Sequence, residues 1–187
     1  MSPGPSMIVV VNNAIFKNRY HGILTSIGHG IGISIYAIFA VIGIGLIINT
    51  NLIIFNSIKI LSIIFMIYMG LKSIFNSNEI DFDKEILKGG AISFFQGFSI
   101  SILNPKIFIW FIAIYSQFMS ENNNVVFNFY LIITAGIVDT LWYIFLTILA
   151  TSSMSLSFLK AKSGFLKKIT GYLFLVIGST LMINIFI

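Results

Sequence analysis

The sequence contains no cysteine and very little charge. Of its 187 residues, only 9% are Asp, Glu, Lys or Arg, whereas 57% are hydrophobic. The lack of cysteine excludes disulfides, thiolate metal sites and thiol redox chemistry. A soluble domain carries roughly a quarter charged residues, so a chain this apolar cannot cover a surface that faces water.

Charged residues are absent from three long stretches of the chain. None occurs between Arg19 and Lys59, between Asp139 and Lys160, or after Lys168. A helix needs about 20 mostly apolar residues to cross the hydrocarbon of a bilayer, so these stretches predict transmembrane helices. A membrane β-barrel would instead show alternating segments of about ten residues. The predicted fold is therefore all-α and polytopic.

Polar breaks divide the chain into apolar segments. There are six of these, at residues 1–16, 22–48, 52–75, 89–119, 125–154 and 169–187. The polar stretch 76–88 joins two halves, 1–75 and 89–187, of a single transmembrane domain. The 16 residues of segment one are too few for a span, so it is either half a helix or continues upstream of Met1.

The basic residues indicate how the chain lies in the membrane. Nine of the 11 Lys and Arg residues follow segments one, three and five, and none follows segments two and four. Because cytoplasmic loops hold the excess of basic residues, loop 76–88 is predicted to be cytoplasmic and both termini to face outward. The orientation of the chain in the membrane also explains its net charge of +5, so no nucleic-acid partner is predicted.

Prolines interrupt segments one and four. A proline inside a helix frees a backbone carbonyl, which in lipid needs a neighbouring helix, a polar side chain or a cavity. One such break is commonly a packing kink. However, Pro5 and Pro105 stand 100 positions apart, in halves that enter the membrane from opposite sides. This arrangement predicts two inverted three-helix repeats, with helices 1 and 4 broken at Pro around a substrate site.

Of the acidic residues in the sequence, Asp139 alone lies inside an apolar segment, segment five. An ionisable group at that depth is costly and indicates function, here a proton carrier or a partner for a substrate ammonium. The alternative is an ion pair with Lys106 or Lys59. Lys106 itself either snorkels to the interface or binds substrate. His29, which glycines flank, is predicted to be a hydrogen-bonded packing residue.

These motifs resemble the LysE/RhtB family of amino-acid exporters. The matching residues run along the whole chain: Ser2-Pro3-Gly4-Pro5-Ser6, Gly28-His29-Gly30-Ile31-Gly32, Tyr68-Met69-Gly70-Leu71-Lys72, Asn104-Pro105-Lys106, Gln117-Phe118, Asp139, Trp142-Tyr143, Gly171 and Gly178. The resemblance implies a six-helix transporter of the cytoplasmic (inner) membrane that exports amino acids or related small metabolites by proton antiport. Family members commonly have more residues ahead of Pro-Gly-Pro than the two found here.

The predicted substrate site combines both breaks with part of segment five. Its residues are Pro3, Gly4, Pro5, Asn104, Pro105, Lys106, Asp139, Trp142 and Tyr143. Half-helix N-termini or Lys106 would bind the carboxylate of a zwitterion, and Asp139 or exposed carbonyls its ammonium. Trp142 and Tyr143 are equally typical of the belt at a membrane interface.

Other function classes make different demands on the sequence. Motifs of intramembrane proteases and phosphate-binding loops are absent, so no enzyme, cofactor or metal site is predicted. A non-transport scaffold or assembly protein would have a filled interior, and an exporter of inorganic ions would need more intramembrane acids or histidines. The expected partners are the lipid bilayer, the substrate and protons. Glycine pairs such as Gly28 and Gly32 favour close helix packing and would also permit a homo-oligomer.

Overall fold

The computed structural model describes residues 4–75, 90–120, 124–152 and 156–186, and these ranges are helical with no strand. The helices, in chain order, are α1 (Pro5–Phe16), α2 (Arg19–Thr50), α3 (Leu52–Phe75), α4 (Gly90–Ile102), α5 (Pro105–Phe118), α6 (Val125–Thr151) and α7 (Leu156–Phe186). The all-α prediction is confirmed. The joining loop 76–88 lies outside the described residues.

Three of the helices are long and apolar enough to cross a bilayer. They are α2, α3 and α6, with 32, 24 and 27 residues. Shorter apolar helices are α1, α4 and the part of α7 from Lys168 to Ile183. Many large side chains on the long helices point away from the protein, among them Phe39, Leu46 and Leu141, which are about 60% exposed. Such an outer surface suits contact with lipid tails.

Asparagines and prolines determine where most of these helices begin. The side chains of Asn18 and Asn124 accept hydrogen bonds from the third backbone N–H beyond them, at 3.1 and 2.8 Å. Asn51 does the same for the first turn of α3. α1 and α5 begin instead at Pro5 and Pro105, since a first helical residue needs no N–H. The polar breaks in the sequence are thus helix caps.

The last helix begins earlier than the sequence predicted. The lysines at 160, 162, 167 and 168 were assigned to a loop before segment six, yet α7 runs without interruption from Leu156. Lysine is a good helix former, and a helix of 31 residues is longer than the hydrocarbon requires. The prediction was wrong here because low hydropathy was taken for the end of a helix. Low hydropathy marks only where the apolar part of the helix ends.

Segment four consists of two helices, α4 and α5, separated by Leu103 and Asn104. The last carbonyls of a helix lack partners within it. Here the Tyr36 hydroxyl of α2 donates a hydrogen bond to the carbonyl of Ile102, and the Asn104 N–H to that of Ser101 at 3.5 Å. A neighbouring helix therefore satisfies part of the backbone at this junction.

Helix α2 is the centre of the packing. It contacts α1, α3, α4, α5 and α6, whereas α3 and α7 pack on each other. One buried apolar cluster joins α2 to α5, with Ile33, Ile44 and Phe111 among its members. A second joins α1 to α6 through Val10, Val11 and Leu146.

Glycines allow α2 to lie directly against α4. A Cβ on Gly28 would overlap the carbonyl oxygen of Phe94, and one on Gly97 would overlap that of Thr25. Gly32 similarly faces Ser101. The predicted role of Gly28 and Gly32 in close packing is confirmed, and their partner is a helix of the same chain.

Gly28→Ala should therefore lower thermal stability. The obstacle is backbone, which cannot move aside as a flexible side chain would, and overpacking of this kind costs about 1–3 kcal/mol. Gly43→Ala on the same helix is the control, because a Cβ there meets nothing within 4 Å. Thermal unfolding of the detergent-solubilised variants should show a lowered midpoint for Gly28→Ala alone. Equal midpoints would contradict the close contact.

Candidate substrate site

A cavity of about 310 Å³ lies between α1, α2, α5 and α6, and Phe174 of α7 contributes to its wall. Most of its wall is apolar, formed by residues such as Ile33, Trp110, Phe111, Leu131 and Phe174. Its polar lining is small and consists of Ser6, His29, Asn104, Tyr115, Thr134, Asp139 and Tyr143. Sites for small molecules typically combine a mainly apolar wall with a few polar groups that fix orientation.

The main polar feature of the wall is a buried pair. His29 of α2 and Asp139 of α6 have exposed fractions of 1% and 4%. The distance from His29 Nδ1 to Asp139 Oδ2 is 2.6 Å, which is short and typical of a charge-assisted hydrogen bond. Within the described ranges, His29 Nε2 is buried and has no hydrogen-bond partner. His29 lines the cavity, and this nitrogen has the capacity for one further hydrogen bond.

The two helices approach closely enough for this pair because both have small residues at their crossing. Added Cβ atoms on Gly30 of α2 and Gly136 of α6 would overlap Thr140 and Ser34, respectively. The pair therefore lies where the backbones are nearest. His29 and Asp139 are 110 positions apart, so only the helix packing brings them together.

Tyr143 connects the pair to the start of α1. Its ring lies edge-on to the His29 ring, with centroids 4.6 Å apart. Ser6 is a side-chain hydrogen-bond partner of Tyr143. Both residues are buried. The first turn of α1 is thus held against α6 beside the imidazole.

Two helix N-termini reach the same cavity. α1 begins at Pro5, its cap residue Gly4 supplies no side-chain acceptor, and Gly4, Pro5 and Ser6 line the cavity. The Ile8 N–H bonds to the Gly4 carbonyl at 3.1 Å, so the preceding amides of the first turn have no acceptor within their own helix. Asn104, directly before α5, also lines the cavity. Helix N-termini carry partial positive charge and favour anions.

The structure brings together five of the residues predicted for the site. These are Gly4, Pro5, Asn104, Asp139 and Tyr143, all of which line the cavity. Trp142 does not line it. Its ring is 37% exposed and lies 6.1 Å from that of Phe145 on the same helix. Pro3 lies outside the described residues, as do the side chains of Pro105 and Lys106.

Among the side chains that the structure describes, the partner of Asp139 is His29 and not Lys59. His29 forms the contact, and Lys59 lies over the ring of Phe55, 5.2 Å from its centroid. The hydrogen bond predicted for His29 is confirmed, but its place beside the acid was missed. The sequence holds one signal for this contact. Segment two has just two ionisable side chains, His29 and Tyr36, so His29 was a candidate partner for Asp139. A membrane-buried acid needs such a partner.

A second polar cluster connects α1, α2 and α4 away from the cavity. Asn13 Nδ2 donates to Gln96 Oε1, and Ser93 Oγ donates to Asn13 Oδ1, both at 3.0 Å. Lys17 Nζ donates to Ser93 Oγ at 2.9 Å, and His21 Nδ1 lies 3.0 Å from it. Burial lowers the pKa of Lys17. Asn13 lies about 12 Å along α1 from Pro5, so this cluster is a separate layer beyond the cavity.

Ser93→Ala should destabilise the protein. The Ser93 hydroxyl is fully buried and bonds with three side chains, and leaving buried polar groups unsatisfied costs about 1–3 kcal/mol. Ser57→Ala is the matched control, since the exposed Ser57 bonds only to the Ile53 carbonyl of its own helix. Unfolding midpoints in detergent measure the difference. An unchanged midpoint for Ser93→Ala would show that the layer contributes little.

Comparison with known proteins assigns the chain to a family. The LysE type translocator family matches residues 1–185, which is nearly the whole sequence. The chain belongs to the LysE type translocators. The resemblance stated from the motifs is confirmed, and the apolar helices are those of a multi-pass membrane translocator. No solved structure matches the chain significantly.

This translocator has several curated relatives. An uncharacterised membrane protein, YrhP, of Bacillus subtilis (strain 168) is 31% identical over 157 residues, which are 77% of this chain and 74% of that protein. Leucine efflux proteins of Salmonella typhimurium and Salmonella typhi are 27% identical over 120 residues, 63% of this chain. That alignment spans 56% of the leucine efflux proteins.

Proposed function

We propose that the protein is a secondary transporter that exports neutral amino acids with aliphatic side chains, or closely related metabolites, across the cytoplasmic membrane in exchange for protons. The observation that carries this proposal is the cavity, which joins a buried His29–Asp139 pair to two helix N-termini in an otherwise apolar wall. Family membership and relatives named for leucine efflux support the same function.

The size and lining of the cavity suit this substrate class. Its volume of about 310 Å³ is at the lower end of the range for small-molecule sites. A leucine-like side chain would lie against Ile33, Phe111 and Leu131, where it leaves water without burying any polar group. A charged side chain would lack a partner on that wall. Binding of Arg or Lys is therefore disfavoured.

The two charged groups of a zwitterion have separate partners. Its carboxylate would bind first-turn amides of α1 or α5, where the helix dipole favours an anion, with Asn104 or Lys106 beside it. Its ammonium would lie near Asp139. Tyr143 orients the imidazole between these two ends. Trp142 has no part in this proposed site.

The position of Asp139 supports proton antiport. The ionised carboxylate attracts the ammonium of a substrate that enters from the cytoplasm. A proton that enters from outside and binds the His29–Asp139 pair would neutralise its net negative charge and so release the substrate. Buried acids in membrane proteins commonly carry protons in this manner.

Alternating access would use the two halves of the chain, 1–75 and 89–187. α1 and α5 both begin at a proline beside the cavity, and the central helices of each half, α2 and α6, cross at the His29–Asp139 pair. The third helices of each half, α3 and α7, also pack together. Paired contacts of this kind are expected of inverted repeats. The basic residues favour a cytoplasmic loop 76–88 with both termini outside.

The structure offers less support to the other function classes. A scaffold needs no cavity beside a buried acid. An exporter of inorganic cations needs clustered ligands, and the described residues contain no group of three or more His, Asp or Glu side chains close enough to hold a metal ion. Neither class accounts for the apolar wall.

The proposal can be tested by overexpression in a bacterium that has been loaded with amino acids by feeding dipeptides. Cells that produce the protein should release leucine, isoleucine and valine faster than vector controls and tolerate higher concentrations of the dipeptides. Release of Lys and Arg should match the controls. If no amino acid in the panel is released faster, the scaffold class becomes the better interpretation.

A further inference from the structure

We infer that His29 Nε2 is the atom at which the substrate ammonium and the transported proton compete. This inference rests on the proposed function and identifies the chemical group that couples the two movements. Its basis is a buried nitrogen that has no hydrogen-bond partner among the described residues, on the ring of a cavity-lining residue whose other nitrogen is already bonded to Asp139.

The contact with Asp139 determines what Nε2 can do. A carboxylate only accepts hydrogen bonds, so the His29 Nδ1 that faces it carries the hydrogen. In the neutral ring, Nε2 then has a lone pair directed away from Asp139. A buried lone pair without a partner is costly, and the ammonium of a substrate in the cavity would satisfy it. The negative charge of Asp139 strengthens that hydrogen bond through the ring.

A proton on the same nitrogen would release the substrate. Protonated Nε2 is a donor and can no longer accept from an ammonium, and its positive charge lies beside that of the substrate. The imidazolium would be stabilised by the carboxylate of Asp139, whose Oδ2 lies 2.6 Å from Nδ1. The exchange balances, since one proton binds Nε2 from outside as one zwitterion leaves, and the proton departs to the cytoplasm when the next ammonium binds.

Among the described residues, few groups other than the His29 imidazole could take up a proton in the cavity. The titratable side chains that face His29 or line its cavity are Asp139 and Tyr143 of α6 and Tyr115 of α5. α1 and α4, which also pack on α2, contain no charged or titratable residue. Lys59 and Lys72 of α3 lie over the rings of Phe55 and Tyr68. The side chain of Lys106 on α5 lies outside the described residues. Imidazole is the side chain that typically changes charge between about pH 5 and 8.

The test is the pH dependence of ligand binding to the purified, full-length protein. Three probes separate the two ends of a zwitterion: leucine, 3-methylbutylamine, which has the ammonium but no carboxylate, and 4-methylpentanoate, which has the carboxylate but no ammonium. For the wild type, the affinities for leucine and the amine should fall as the pH is lowered from 8 to 5. The fall should approach tenfold per pH unit, which is the limit for competition between one ammonium and one proton. The affinity for the acid should not fall.

His29→Gln and His21→Gln form a matched pair, because the sequence has only these two histidines. His29→Gln keeps a polar side chain that cannot titrate, so it should bind leucine more weakly and with the same affinity at pH 8 and pH 5. His21→Gln changes the histidine in the layer beyond the cavity and should keep the pH dependence of the wild type.

Two results would overturn the inference alone. One is wild-type leucine binding with an affinity that does not change between pH 8 and 5, and the other is an unchanged pH dependence in His29→Gln. The first result is measured on the wild type alone. The inference can therefore be refuted even if the His29→Gln protein misfolds. Failure of the wild type to bind any of the three probes would instead count against the proposed function, and this inference with it.

Discussion

Asp139→Asn should strongly reduce proton-coupled export while leaving the protein folded. Asparagine has the size of aspartate and can still accept the hydrogen bond from His29 Nδ1, so the helix crossing of α2 and α6 is preserved. The negative charge is lost, and with it the attraction for the ammonium. Hydrogen bonds to charged groups contribute about 1.5–3 kcal/mol, which corresponds to a loss of about ten- to a hundredfold in export rate.

The measurement is leucine release from loaded cells at external pH 6 and pH 8. The wild type should export faster at pH 6, because external protons drive the exchange, and Asp139→Asn should be slow at both values. Asp139→Glu is the control for charge and should keep part of the activity. Equal amounts of each protein in the membrane must be verified. Export by Asp139→Asn at the wild-type rate, with the same pH dependence, would remove Asp139 from the mechanism.

Ala135→Phe should block transport by occupying the cavity. Ala135 lies one turn before Asp139 on α6 and lines the apolar wall of the cavity. A phenyl ring there takes the space that the substrate side chain needs, and interiors this closely packed do not expand to accommodate both. Leucine release should fall to the level of vector controls. Glycine should be less affected than leucine, because it has no side chain that needs that wall.

Ile137→Phe is the matched control for this substitution. It places the same ring two residues further along α6, where the Ile137 side chain is 53% exposed on the outer surface and does not line the cavity. This variant should export leucine like the wild type. Equal loss of export in both variants would indicate a general effect of phenylalanine on α6. Wild-type leucine export by both variants would mean that the substrate does not pass through this cavity.

Much of the fold could be predicted from local features of the sequence. The charge-free stretches indicate apolar helices, and the helix starts at Leu52 and Val125 coincide with the predicted ones because asparagines cap both. The start of α7 could not be predicted in the same way, since hydropathy reports where lipid contact begins and a helix can begin earlier. Helix continuity through lysines depends on backbone hydrogen bonds, which hydropathy does not measure.

The candidate site was predictable in part. Asp139 stands out because a charge in an apolar segment is rare, and Gly4, Pro5 and Asn104 stand out because they interrupt helices. The role of His29 depends on a contact across 110 positions, which a single sequence does not encode locally. Trp142 and Tyr143 are adjacent, yet consecutive residues on a helix point about 100° apart. Only Tyr143 faces the cavity, and no local rule selects between them.

The central claim is that substrate passes through the cavity between α1, α2, α5 and α6 in exchange for protons. Leucine efflux from proteoliposomes tests it most directly, with leucine inside, an acidic outside buffer, and wild type, Ala135→Phe and Ile137→Phe compared side by side. The account predicts that the proton gradient accelerates leucine efflux, with protons entering as leucine leaves, for the wild type and Ile137→Phe but not for Ala135→Phe. Acceleration by all three proteins, or by none of them, would contradict it.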